Sequence, residues 1–273
     1  MLNEKEPFEH VYVRGLNADI HLLAKGDRNG VPVIFLPGIT SYSMSFAEIL
    51  KRMPENFYCL SMDIRGRGKS SWPKQGYRMQ DYVEDLLNVV NALTGNPTAP
   101  FLVGHSMGAR IAAGFGSTYS SLISGIVLID PPITGPGHRQ IYPNSLAMFL
   151  EQKAAVEEGK WEKFQSFYPN FTEEQRKIRI TEYQNVCQEA IIESYNNFIK
   201  EPFQVHVKLT TCPMLLLAAE LGDTIRPEEL EELKSLNPNL QAIVVSGVGH
   251  MVYKEAPEET SDHIRSFIRD HLN

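Results

Sequence analysis

The chain has 273 residues, of which 42% are hydrophobic and 22% are charged, and its formal net charge is −7 at neutral pH. These proportions are ordinary for a globular protein with a sizeable core, and they exclude a disordered chain. Because the net charge is acidic, we expect neither a nucleic acid nor a membrane surface as a partner.

Residues 1–10 show no basic segment followed by an apolar stretch, and no apolar run in the chain is long enough to span a bilayer. The three cysteines are an odd number without a CxxC pair, which favours reduced thiols over a disulfide framework or a zinc site. We therefore expect a cytoplasmic protein that holds no metal.

The N-terminal half alternates strand-like and helix-like segments. FEHVYVRG and DIHLLAKG predict a hairpin, and the apolar run VPVIFL predicts a strand buried on both faces. There follow in chain order a helix over 45–52, the strand FYCLSMD, a helix over 80–93, the strand FLVG, a helix over 107–119 and the strand GIVLID. Such alternation predicts an α/β fold, with a doubly wound, mostly parallel sheet and helices on both faces.

The alternation stops near residue 131. Residues 133–203 contain charged, helix-like segments and no convincing buried strand, which predicts a helical cap inserted into a core formed by residues 1–132 and 204–273. The strands CPMLLLAA and LQAIVVSG then complete eight predicted strands, with a helix between them and a last helix over 258–271. Such an insertion lies above the carboxyl ends of the strands, where open α/β sheets bind ligands.

The segment GHSMG at 104–108 matches the G-x-S-x-G pattern. It directly follows the buried run FLV and directly precedes a helix, which favours a serine nucleophile at a sharp strand-to-helix turn. Such a turn presents the Oγ of Ser106 at the edge of the sheet, beside the N-terminus of the following helix. The alternative is a Gly-rich helix start without chemistry.

A serine hydroxyl is a poor nucleophile without a base. His250 follows the last strand and precedes the final helix, so it lies at the same edge of the sheet as Ser106 and is the expected base. Asp130, at the end of GIVLID, and Asp223, after MLLLAA, could each orient the imidazole, with Glu220 as a weaker option. Position alone slightly favours Asp223.

An oxyanion hole needs two N–H donors. We expect one from Met107, directly after the nucleophile, and one from Ile39, in the turn after VPVIFL. The segment DIRGRGKS at 63–70 looks like a phosphate-binding loop, but it lacks the G-x-x-x-x-G-K-[ST] spacing and is better interpreted as a structural turn beside the site. No HExxH motif is present, so the chemistry does not require a metal.

Five segments with particular motifs are LPGITS (36–41), DIRGRGKSS (63–71), VGHSMGAR (103–110), LIDPPITGPGHR (128–139) and GHM (249–251). Together they resemble the N-formylmaleamate deformylase family of the α/β-hydrolases. GHSMG and DxRGxGxS are common to the whole superfamily, whereas DPPxxGPG followed by Tyr142-Pro143 is more particular. The resemblance covers most of the chain from about residue 33 and is weakest through the insertion.

The resemblance implies an α/β-hydrolase fold and the hydrolysis of N-formylmaleamate to maleamate and formate, without a cofactor, in bacterial nicotinate degradation. It also implies an acid after the sixth strand, so it favours Asp130 over Asp223. The carboxylate of such a substrate should need a cation, for which Arg139 is the first candidate and Arg110 the second. Tyr142 could add a hydroxyl donor.

Two other functions remain open from the sequence. One is an esterase or a carbon–carbon bond hydrolase of the same fold. The other is a non-catalytic ligand receptor on a hydrolase scaffold, which the complete set of serine, histidine and carboxylate argues against. The sequence does not indicate the oligomeric state.

Overall fold

A computed structural model of the protein describes residues 8–15, 17–135, 137–139, 145–169 and 171–272. Within them a single sheet has eight strands in the order β1-β2-β4-β3-β5-β6-β7-β8. The strands are β1 Glu9–Arg14, β2 Asp19–Lys25, β3 Val31–Leu36, β4 Phe57–Met62, β5 Phe101–His105, β6 Gly125–Ile129, β7 Met214–Ala219 and β8 Leu240–Val245. β1 pairs antiparallel with β2, and β2 pairs antiparallel with β4, while every later pairing is parallel. The prediction of a mostly parallel eight-stranded sheet is confirmed.

Alternate residues of each central strand face opposite layers of the core, as the two-residue period of a strand requires. Ile34 and Leu36 of β3 face the layer that contains α2 (Met79–Ala92) and α3 (Met107–Tyr119). Val33 and Phe35 face the layer that contains α1 (Ala47–Arg52) and α11 (Pro257–Asp270). Since both faces are covered, the central strands are continuous apolar runs rather than alternating ones.

The remaining helices of the described chain lie between β6 and β7 or near its C-terminus. Those between the two strands are α4 Leu146–Glu157, α5 Trp161–Ser166, α6 Glu173–Gln184, α7 Gln188–Phe198 and α8 Phe203–Leu209. The later ones are α9 Pro227–Leu236 and α10 Val252–Glu255. α4 packs against α5, α6 and α7, whereas α8 packs against α3 of the core. We refer to α4 through α7 as the cap.

Hydrogen bonds attach the cap to the core at buried and half-buried positions. Ser194 of α7 contacts Tyr82 Oη at 2.5 Å and accepts from Arg67 at 3.2 Å. The carboxylate of Glu193 accepts the backbone N–H of Tyr77 at 3.0 Å. Because these groups have little access to water, breaking them would leave buried polar atoms unpaired, which fixes where the cap lies over the sheet.

Candidate active site

Ser106 is the single residue between β5 and α3, and its backbone has φ 53° and ψ −115°. A side chain in this region of φ/ψ space is strained, and such strain is typical of a nucleophile held at a sharp turn. The two flanking glycines permit the turn. A Cβ at Gly104 would lie 2.4 Å from the backbone of Gly108, and a Cβ at Gly108 would lie 1.9 Å from the carbonyl oxygen of Leu36. Only glycine therefore lets the helix start against the sheet.

His250 lies in the loop after β8, and its Nε2 is 3.1 Å from the Oγ of Ser106. This distance is within hydrogen-bond reach, as a base that removes the hydroxyl proton needs. Thr224 Oγ1 is 3.2 Å from the Nδ1 of the same ring. Ser106 and His250 are 144 positions apart in the chain. The parallel sheet brings them together because both follow the carboxyl ends of strands.

Asp130 directly follows β6 and is fully buried. Its Oδ2 lies 2.7 Å from the Nδ1 of His250, and its Oδ1 accepts the backbone N–H of Ala219 at 3.0 Å. A carboxylate at Nδ1 fixes the proton on that nitrogen and leaves Nε2 as the acceptor that faces Ser106. The structure thus places Ser106, His250 and Asp130 in one continuous chain of contacts.

Asp223 is 62% exposed, and its carboxylate contacts Arg226 at 2.8 Å and Arg139 at 3.2 Å. The hydrogen bond from Arg226 lowers the pKa of Asp223, which keeps it ionised at the surface. Glu220 accepts the backbone N–H of Gly247 instead of contacting the imidazole. Of the three carboxylates that the sequence offered, the structure brings only Asp130 to His250.

Ile39 and Met107, the expected oxyanion donors, both line the cavity that contains Ser106. Met107 is the first residue of α3, so its N–H belongs to the helix start that has no intrahelical acceptor. The turn that carries Ile39 passes close to the nucleophile, since a Cβ at Gly38 would lie 3.5 Å from the Cβ of Ser106. The arrangement can therefore direct two N–H groups at a carbonyl oxygen attacked by the serine.

Two further buried side chains, Arg67 and His105, support this arrangement. Arg67 is fully buried, donates to the carbonyl oxygen of Ile39 at 3.0 and 3.1 Å, and lies 3.7 Å from the sulfur of Met107. His105 contacts the carbonyl oxygen of His250 at 2.9 Å through its Nε2, which acts as the donor. Burial lowers the pKa of His105 well below its usual value, so this ring stays neutral.

The cavity has a volume of about 370 Å³ and lies between the cap and the carboxyl edge of the sheet. This volume is at the lower end of the usual range for small-molecule sites. Its wall is mostly apolar and aromatic, with contributions from Phe149, Tyr168, Phe171, Tyr195 and Phe198. Two arginines, Arg110 of α3 and Arg179 of α6, also line it.

Arg139 does not line this cavity, so its expected role in binding a substrate carboxylate is not supported by its position. Its guanidinium instead forms salt bridges with Glu229 at 2.7 Å and with Asp223 at 3.2 Å. The neighbouring sequence gave no sign of these partners, because they come from the segment after β7. Tyr142 lies outside the described residues.

Arg110, the second candidate, does line the cavity, but its guanidinium is surrounded by acceptors. It donates to Thr134 Oγ1 at 2.9 Å and to three backbone carbonyls at 2.6 to 3.0 Å, those of Pro132, Phe198 and Glu201. Burial lowers its pKa to about 10, which leaves it charged at neutral pH. Arg110 thus joins the segment after β6 and the end of α7 to α3.

The described residues contain no group of three or more histidine, cysteine, aspartate and glutamate side chains that could hold a metal ion. Among the helices in the described ranges, none combines the length and the apolar composition that crossing a membrane requires.

A model of the alpha/beta hydrolase family matches residues 33–263. The chain belongs to this family. The match includes most of β3, all of β4 through β8, and every residue of the contact chain from Ser106 to Asp130. The fold expected from the five sequence segments is therefore confirmed.

This α/β-hydrolase is 30% identical over 235 residues to N-formylmaleamate deformylase from Pseudomonas putida, which covers 85% of this chain and 86% of the relative. It is 28% identical to 2-(acetamidomethylene)succinate hydrolase from Mesorhizobium japonicum, over 88% of each chain. The crystal structure of N-formylmaleamic acid deformylase from Pseudomonas putida S16 superposes with a TM-score of 0.85 at 26% identity, covering 94% of this chain and all of that one. The resemblance predicted from the motifs is confirmed.

Proposed function

We propose that this α/β-hydrolase is a serine hydrolase that cleaves the C–N bond of N-formylmaleamate, giving maleamate and formate. The observation that carries the proposal is the contact chain in which His250 lies 3.1 Å from Ser106 and 2.7 Å from Asp130. Similarity to N-formylmaleamate deformylase supports the choice of substrate. The reaction needs no cofactor, and we assign it to nicotinate degradation in the cytoplasm.

In the first half of the reaction, the Nε2 of His250 takes the proton of the Ser106 hydroxyl while the Oγ attacks the formyl carbon. The carbonyl oxygen becomes an oxyanion, which accepts hydrogen bonds from the N–H groups of Ile39 and Met107. Asp130 stabilises the imidazolium that forms. His250 then gives its proton to the amide nitrogen, the C–N bond breaks, and maleamate leaves as a primary amide.

In the second half, a formyl ester remains on Ser106. His250 removes a proton from a water molecule, the resulting hydroxide attacks the formyl carbon, and the same two N–H groups stabilise the second oxyanion. Collapse of this intermediate returns the proton to Ser106 and releases formate. The leaving nitrogen carries a second acyl group, so it departs more readily than a simple amine.

Formate release from N-formylmaleamate by the purified protein tests the proposal. We expect one formate per maleamate, and we expect Ser106→Ala to lose several orders of magnitude in rate with unchanged folding. Absence of formate above background, with a folded protein, would refute it. Fast turnover of aryl esters or of vinylogous diketones alone would instead identify an esterase or a carbon–carbon bond hydrolase. Ligand binding without any turnover would identify a receptor.

A second candidate is the hydrolysis of an N-acetyl amide that bears carboxylates, which the similarity to 2-(acetamidomethylene)succinate hydrolase favours. The same residues would perform it, with acetate as the acid released. Parallel assays of formate and acetate release distinguish the two, because an acetyl group needs room for one more methyl on the acyl side of Ser106.

A further inference from the structure

Arg179 lies at the wall of the cavity, where the cap meets the oxyanion turn. It belongs to α6 and is 6% exposed. Its Nη2 donates to Thr40 Oγ1 at 3.0 Å and to Tyr168 Oη at 3.2 Å. Since Thr40 directly follows Ile39, a group bound beside Arg179 is next to the place where the carbonyl oxygen of the substrate would lie.

The buried cluster around Arg179 has more positive than negative groups. Glu182 is fully buried and forms ion pairs with both Arg179 and Lys254, the latter at 2.5 Å. Ser45 adds a hydrogen bond to the same carboxylate. Burial alone would raise the pKa of Glu182, but Lys254 and Arg179 more than offset this and lower it to about 2.

One ionised carboxylate thus faces two cations. Burial lowers the pKa of Lys254, but its side chain is 22% exposed and its Nζ contacts Glu182, both of which favour the charged form. Arg179 and Glu182 are buried, so water compensates the excess positive charge beside them poorly, and a counter-charge that approaches it is attracted. A ligand carboxylate in the cavity would supply that charge.

The acceptors around the two cavity arginines differ in chemistry. Arg110 is surrounded mainly by backbone carbonyl oxygens, which can only accept hydrogen bonds and repel a second anion. Besides Glu182, Arg179 contacts the hydroxyl of Thr40, which can accept from the guanidinium or turn to donate to an anion. It also donates to the hydroxyl of Tyr168, whose own proton goes to Gln152 Oε1 at 2.5 Å. Of the two, Arg179 is the one suited to a carboxylate.

We propose that Arg179, with the hydroxyl of Thr40, binds the carboxylate of the substrate, and that Lys254 supports it through their shared partner Glu182. The inference rests on the proposed function, and it makes the site selective for acyl amides whose leaving group carries a negative charge. A guanidinium matches the planar geometry of a carboxylate, so it fixes the orientation of the amide as well as attracting it.

Binding to the Ser106→Ala variant tests the inference without turnover. The probes are maleamate and its neutral methyl ester, measured by isothermal titration calorimetry on the full chain. We expect maleamate to bind more tightly than the ester. We expect Arg179→Gln to lower the affinity for maleamate about 10- to 100-fold and the affinity for the ester by less than about twofold. Lys177→Gln removes an exposed cation from the same helix and should change neither the affinity for maleamate nor that for the ester.

Two further variants separate a binding role from a structural one. Arg179→Lys keeps the charge and should retain part of the preference for maleamate. Lys254→Gln should lower the affinity for maleamate by a smaller factor and leave the affinity for the ester unchanged. If Arg179→Gln fails to fold, the result with Lys254→Gln tests the inference. Equal binding of both probes to the parent, or equal weakening of both by Arg179→Gln and Lys254→Gln, would overturn the inference.

The two proposals can fail separately. If charge-selective binding depends on Arg179 but the wild-type protein releases no formate, only the choice of reaction is wrong. If formate is released and Arg179→Gln leaves KM for N-formylmaleamate unchanged, the carboxylate is bound elsewhere and only this inference is wrong.

Discussion

Replacing Asp130 by asparagine tests which carboxylate serves His250. The substitution keeps the shape of a fully buried side chain, and its amide oxygen can still accept the N–H of Ala219. Its NH₂ group would face the Nδ1 of His250 at the present 2.7 Å, which forces the ring proton onto Nε2. The nitrogen that faces Ser106 would then have no lone pair to accept the hydroxyl proton.

The expected loss is about 10⁴ in kcat, the cost of the same change in a serine protease, which corresponds to about 5.4 kcal/mol at 1.36 kcal/mol per tenfold. The assay is formate release coupled to formate dehydrogenase, with an aryl acetate as a second substrate whose leaving group departs without a proton but whose hydrolysis still needs Ser106 and its base. Folding is checked by circular dichroism and by thermal unfolding.

Asp223→Asn is the matched control. It removes a surface carboxylate that is 62% exposed and contacts two arginines rather than the imidazole. Exposed ion pairs contribute little, so we expect activity to stay within about twofold of the wild type. A large loss in Asp223→Asn with near-normal activity in Asp130→Asn would refute the assignment of the acid.

Three further predictions concern stability. Gly108→Ala places a Cβ 1.9 Å from the carbonyl oxygen of Leu36, so we expect urea unfolding to show a loss of about 1–3 kcal/mol in the free energy of unfolding. An unchanged midpoint would contradict the close packing of α3 on β3. Arg67→Met leaves the carbonyl of Ile39 without its donor, so it should cost about 1–3 kcal/mol and lower kcat more than it changes KM; an effect on KM alone would argue against a role in the oxyanion turn. The pKa of Glu182 in the folded protein, about 2, is below its unfolded value, so its contribution, on the order of 3 kcal/mol, is present above pH of about 4.5 and is lost as pH falls toward 2. The free energy of unfolding, measured between pH of about 4.5 and 2, should fall less steeply with pH in Glu182→Gln than in the wild type. An identical pH dependence in the two proteins would exclude the linkage.

Much of the fold could be predicted because the central strands are continuous apolar runs and the helices between them have clear periodicity. The positions of Ser106 and His250 follow from the same logic, since the carboxyl ends of parallel strands meet at one edge of the sheet. Three short helices, α5, α8 and α10, had no such signal. With four to seven residues each, they contain too few turns for a periodic pattern to stand out.

The choice between the two aspartates could not be made from spacing. Asp130 and Asp223 follow neighbouring strands, and both have φ of 45°. They differ in burial and in the direction of the side chain, which depend on how β6, β7 and the His250 loop pack. The resemblance to a known family favoured Asp130, and that information lies outside the physics of the sequence alone.

Arg179 was missed for a related reason. It lies in the charged segment EEQRKIRITEY, where nothing in the pattern separates it from Arg176 or Lys177. Only the packing of α6 against the turn after β3 buries Arg179 and leaves Lys177 in solvent. Arg67 had a weak signal, a second arginine within a Gly-rich turn, but the direction of its side chain toward Ile39 is a tertiary feature.

The insertion of the cap between two strands that pair directly with each other has a consequence for engineering and for divergence among relatives. The parallel register of β6 and β7, from Ile126 opposite Met214 to Ile129 opposite Leu217, involves no residue of the cap. If α6 selects the leaving group as proposed, replacing α4 through α7 by the equivalent segment of a relative should give this protein the relative's leaving-group preference. Proton transfer would stay with Ser106, His250 and Asp130 of the recipient. The donor segment must still offer acceptors to Arg67, as Ala190 and Ser194 do here, so compatibility at that arginine limits which grafts succeed.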